Sequence, residues 1–145
     1  MSTIIGTTLN ADTIRKTGGS LGTDIRIKNT SVFESDGGTS VTQNLVQGLV
    51  KAWCKFNGEA SSIANADSFN VSGLTDNGTG DYTIAIDNDM ANGDYATTCN
   101  GTEQVFSVLN NANTLAGSVR VYSKNLSNSN IDSQYTAVQI TGDLA

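Results

Sequence analysis

Asp81-Tyr82-Thr83-Ile84-Ala85-Ile86-Asp87 is the stretch that decides the fold class. Tyr82, Ile84 and Ile86 alternate with Thr83 and Ala85, so every second side chain is large and apolar. Successive side chains of a strand point to opposite faces, and this period of two therefore marks a half-buried β-strand. The same pattern recurs on both sides of the run. Lys51-Ala-Trp-Cys-Lys-Phe56 places Ala52, Cys54 and Phe56 on one face, and Ser68-Phe-Asn-Val-Ser72 places Phe69 and Val71 inward. Further strands are expected over 94–98, 104–109, 118–123 and 134–141. Asn57-Gly58, Asp76-Asn77-Gly78, Asn92-Gly93 and Asn100-Gly101 separate them as turn signals, and 126–131 reads as a long loop. Residues 51–145 are thus expected to form a mainly β head, an antiparallel β-sandwich or jelly-roll-like domain.

Upstream, the pattern changes. Residues 1–40 carry scattered apolar positions and the glycines 18, 19, 22, 37 and 38, with one short alternation at Ile25 and Ile27. They read as an extended arm that packs on something else. Residues 41–50, Val-Thr-Gln-Asn-Leu-Val-Gln-Gly-Leu-Val, place Val41, Leu45, Val46 and Leu49 near four-residue spacing. That spacing predicts a short amphipathic helix, weakened by Gly48. So short a helix needs packing partners. Two arrangements are open: it lies on the β-domain, or it meets its own copies as a neck, with Val41, Leu45 and Leu49 as the oligomerisation seam.

Composition narrows the function. The chain of 145 residues carries 14 acidic and 8 basic side chains, for a net charge of −6. Clustered Lys and Arg would be needed for phosphate, so nucleic acid is not an expected partner. No apolar run approaches the ~20 residues of a membrane helix, and the N-terminus does not read as a signal peptide. Membrane insertion and export by a standard route are not expected. The chain has no proline, a residue that often blunts edge strands, so its edges need cover from loops, charges or other subunits.

Chemistry is sparse. With no histidine, the Ser-His-Asp and Cys-His arrangements and histidine metal sites are out of reach. Cys54 and Cys99 read as small buried hydrophobes, with a bridge between neighbouring strands as the alternative. Asp81, Asp87, Asp89 and Asp94 are the candidates for a glycosidase pair, and they sit at strand ends and turns, where Asp already caps its own backbone. Counted from Asp87, an EF-hand would need ligands where Ala91 and Thr98 stand and a glycine where Asn92 stands. A looser calcium loop stays open beside an ordinary turn. No cofactor is expected, and the chain reads as a non-enzyme. Trp53 shares its face with Lys51 and Lys55. These three are the candidate surface or interface contact: half-buried under a loop, at a subunit contact, or a stacking surface for a sugar.

Lys51-Ala-Trp-Cys-Lys-Phe-Asn-Gly58, Ser68-Phe-Asn-Val-Ser72, Thr75-Asp-Asn-Gly-Thr-Gly-Asp-Tyr-Thr83, Met90 and Tyr95 resemble a module of tail-fibre-type virion appendage proteins of tailed, especially marine, bacteriophages. The resemblance covers roughly residues 46–96. Cys54, where a β-branched residue would be ordinary, and the Ala- and Ser-rich loop 59–66 depart from it. It implies a virion surface protein, usually homotrimeric, made in the host cytoplasm. Residues 1–40 would attach to other virion proteins and the head would face outward toward a host surface glycan. A capsid decoration protein is the alternative, and a carbohydrate-binding module a more distant one. The resemblance transfers no catalytic residue.

Overall fold

A computed structural model of the chain describes residues 33–35, 42–44, 48–102, 106–109 and 111–145. The described part is mainly β. Its strands are β1 (Phe33–Ser35), β2 (Thr42–Asn44), β3 (Val50–Phe56), β4 (Asn65–Phe69), β5 (Val71–Gly78), β6 (Asp81–Ile86), β7 (Ala96–Gly101), β8 (Phe106–Leu109), β9 (Ser118–Lys124) and β10 (Thr136–Thr141). β1 and β2 pair as a small antiparallel sheet. The others form two four-stranded antiparallel sheets, ordered β4-β3-β10-β7 and β5-β6-β9-β8.

Both large sheets contribute to one core. Ala52, Cys54 and Phe56 of β3 and Val138 and Ile140 of β10 cluster with Tyr82, Ile84 and Ile86 of β6 and Val119 and Val121 of β9. These are the alternate residues that the period of two assigns to one face. The Phe56 and Tyr82 rings meet edge to face with centroids 4.9 Å apart, an arrangement aromatic quadrupoles favour. The buried hydroxyls of Ser123 and Thr136 meet at 3.3 Å, so the polar atoms sunk between β9 and β10 satisfy one another.

One chain crossing between the sheets needs a special residue. β4 passes into β5 through Asn70 alone, whose φ is 54°. Its amide oxygen accepts from the Asn88 backbone N–H at 2.7 Å and the Asn88 amide at 2.9 Å. Its amide nitrogen donates to the carbonyls of Lys51 at 3.0 Å and Asn88 at 3.1 Å. Asn tolerates the left-handed region because its short polar side chain bonds locally. The strand expected over 68–72 is therefore two strands turning a corner at its middle residue.

Several expectations shift. Of the helix expected over 41–50, Thr42–Asn44 is β2 and Val50 opens β3. Residues 41 and 45–47 lie outside the described residues, as does the strand expected at Ile25 and Ile27. Asn100-Gly101 is no turn: both residues pair inside β7 with β10. The reversal expected at Asp76-Asn77-Gly78 falls at Thr79-Gly80, because β5 runs on to pair Gly78 with Asp81. The Asp76 carboxylate accepts from the Gly78 N–H at 2.8 Å, so the Asp-x-Gly signal finishes the strand rather than turning it.

Candidate binding face on the outer side of one sheet

Strand register assembles the site. Partners in register share a face of the sheet. Phe69, Trp53, Gln139 and Thr98 form one rung across β4, β3, β10 and β7. Asp67, Lys55, Ala137 and Asn100 form the next. Cys54, Val138 and Cys99 lie between them, on the opposite face. Because Ala137 is short and its neighbours are long, the outer face dips there. The dip is a groove of about 290 Å³ lined by Trp53, Lys55, Thr98, Asn100, Ala137 and Gln139.

Of the three contact residues expected from sequence, the structure brings two together here. Lys55 holds its ammonium 4.5 Å from the Tyr135 ring centroid, so its charge is aimed at an aromatic face and not into the groove. Phe69, expected inward, instead stands beside Trp53 on the outer rung, 55% exposed, because the corner at Asn70 ends the alternation it shared with Val71; Tyr135 is 43% exposed. Lys51 stands apart, 6% exposed. Ala52 pairs Ile140 while Val50 pairs Thr141, so Lys51 is the extra residue of a β-bulge. The bulge breaks the alternation that would have kept it with Trp53. Leu49 is 62% exposed. Val41 and Leu45 lie outside the described residues.

The residues that sequence reasoning missed are Thr98, Asn100, Ala137 and Gln139. They come from strands more than 40 residues downstream of Trp53, and only the register aligns them. The alternation of 134–141 carried part of the signal: with Val138 and Ile140 inward, Ala137 and Gln139 must face out.

The two thiols belong to the core side. Cys54 is 1% exposed, and burial, with a smaller contribution from Cys99, pushes its pKa up to about 12. Burial raises Cys99 to about 11. A nucleophilic cysteine needs the opposite shift. Both are free. Each flanks Val138 from a different strand, so their Cα atoms stand two strand spacings apart, roughly 10 Å, beyond the ~7 Å a disulfide spans. In the loop after β6, Asn92 accepts from the Asp94 N–H at 2.7 Å, a self-capped turn. Among the described residues no three acidic or thiol side chains gather as a metal site.

Residues 57–58 and 80–82 supply structural parts instead. The Asp132 carboxylate accepts from the Tyr82 hydroxyl at 2.8 Å and the Gly80 N–H at 2.7 Å. Gly58 lies so close that a Cβ there would fall on the Tyr82 hydroxyl, and its N–H donates to the Ser133 carbonyl at 2.9 Å. Asn57-Gly58, Gly80 and Tyr82 thus meet at one junction with the loop between β9 and β10. Asp81 turns outward and takes a two-point ion pair from Arg120 at 2.7 and 2.6 Å. That bond holds up the pKa of Arg120.

Scans against protein-family models, curated proteins and solved structures return no significant match.

Proposed function

We propose that the protein is a non-enzymatic surface appendage of a tailed-phage virion, of tail-fibre or receptor-binding type. Its two sheets form a β-sandwich head that presents the outer face around Trp53. What carries this reading is where the resembling residues fall. Gly58, Asn70, and Gly80 with Tyr82 come from three stretches of the resemblance, and each sits at a junction that the fold depends on. A likeness concentrated on such positions is a likeness of architecture, which is what a shared module would preserve. Residues 1–40 would attach to other virion proteins. Val41, Leu45 and Leu49 would form the seam of a homotrimer, and the exposed Leu49 supports that use. The mechanism is non-covalent adhesion.

Antibody raised against the purified chain, applied to particles of the phage that encodes it, tests the assignment by electron microscopy. Label confined to tail ends is the expected result. Uniform label over heads would move the protein to capsid decoration, and particles without label would remove it from the virion.

A further inference from the structure

We propose that the groove between Trp53 and Asn100 binds a neutral hexopyranose unit of a polysaccharide. This rests on the reading of the protein as a displayed, adhesive head. One wall is aromatic. Trp53 lines the groove, and Phe69 extends the apolar surface one strand further along the same rung. The opposite wall and the end are Thr98, Asn100 and Gln139. All three are uncharged, and each can both donate and accept a hydrogen bond. A pyranose ring has the matching two-sided chemistry: a C–H face that lies against an aromatic ring, and a rim of hydroxyls that each donate and accept.

Charge selects the class. The ammonium of Lys55, the one cation on the groove wall, is committed to the Tyr135 ring at 4.5 Å. Asp67 stands next to Lys55 on the same rung, outside the groove. The groove therefore offers an anion no dedicated partner, and the chain's net charge of −6 repels polyanions at longer range. A peptide segment fits less well, because its backbone would need an unpaired strand edge, and this is a sheet face whose strands are already paired. Phe69 is the place for a second sugar ring, since it lies one strand spacing, roughly 5 Å, from Trp53.

Trp53 is the only tryptophan, so its fluorescence reports the groove directly. The full chain would be titrated with neutral glucan, galactan and mannan oligosaccharides and with acidic polygalacturonate. A saturable change with at least one neutral oligosaccharide, at a Kd below about 10 mM, is expected. Calorimetry covers the variants without Trp53. Trp53→Ala and Ala137→Phe, which fills the floor, should each weaken binding at least ~10-fold. Phe69→Ala should weaken oligosaccharides but not a monosaccharide. Neither Trp53 nor Ala137 belongs to the shared core, and circular dichroism checks that both variants fold. Silence toward every neutral sugar, a preference for polygalacturonate, or binding that survives both variants would overturn the proposal. Virion labelling with no sugar response would sink this inference alone. Sugar binding by a chain that labels no particle would sink the appendage reading alone.

Discussion

At the scale of single residues, the junction of Gly58, Tyr82 and Asp132 does most to explain the sequence. Tyr82 is fully buried, and its hydroxyl needs the Asp132 carboxylate. Burial, then the bond to Asp132, raises its pKa. Tyr82→Phe keeps the ring against Phe56 and removes that bond together with the longer one to the Gly58 carbonyl at 3.4 Å, leaving Asp132 its second donor from Gly80. The expected cost is about 1–2 kcal/mol. Gly58→Ala places a methyl on the hydroxyl and should cost about 1–3 kcal/mol through overpacking. In the double variant the clash is partly relieved, so the two costs should sum to more than the measured loss. Urea unfolding of the four proteins measures this; strict additivity would separate Gly58 from Tyr82. The inward role of Tyr82 was legible in the alternation of 81–87. Its need for Asp132 was not, because that partner lies 50 residues away in a loop with no periodicity.

At the scale of elements, two readings show where a period of residues stops being informative. Four-residue spacing puts Val41, Leu45 and Leu49 on one face of a helix, yet an even spacing also puts them on one face of a strand. The segment contains Thr42–Asn44 as a strand, so the pattern was shared by both periods and could not choose between them. The second case is Asn70. Alternation runs through Ser68-Phe-Asn-Val-Ser72 as if it were one strand, while the left-handed φ of Asn70 sends its halves into different sheets. A corner of this kind leaves no mark on hydropathy; only the identity Asn hints at it. Replacement separates the two contributions. Asn70→Gly keeps access to positive φ and loses the bonds to Asn88 and Lys51. Asn70→Ala loses the bonds and adds left-handed strain of about 1–2 kcal/mol. Both should lower stability, with Ala the worse by about 1 kcal/mol. Equal midpoints for the two variants in urea would mean that the backbone conformation contributes nothing.

At the scale of the whole molecule, one core made by two sheets gathers several ionisable groups that prefer to stay neutral, and this sets the protein's response to alkali. Burial raises Cys54 to about 12, Cys99 to about 11 and Tyr95 to about 12, and Tyr82 moves upward too. In the unfolded chain the thiols ionise near about 8.5–9 and the phenols near about 10. Below those values both states hold the protons, and the groups contribute their full stability. As pH rises, the unfolded chain releases protons that the folded chain keeps, so unfolding becomes progressively more favourable until the folded-state values are passed. Stability should therefore be flat from about pH 7 to 8.5 and fall steadily from about 9 toward 12. The thiols act first, since their unfolded-state values are the lower. Replacing Cys54 and Cys99 together by Ala should flatten the profile between about pH 9 and 10 and leave the fall above 10 to the tyrosines. Urea midpoints measured across this range at constant ionic strength decide it. An unchanged slope in the double variant would mean that the thiols already ionise in the folded protein, and with that the buried positions of Cys54 and Cys99 on either side of Val138 would be untenable. The same placement gives a second readout of one geometry: thiols two strands apart cannot reach each other, so an oxidant should leave the folded chain without an internal disulfide. A cross-link between Cys54 and Cys99 under native conditions would require a different order of strands in the sheet.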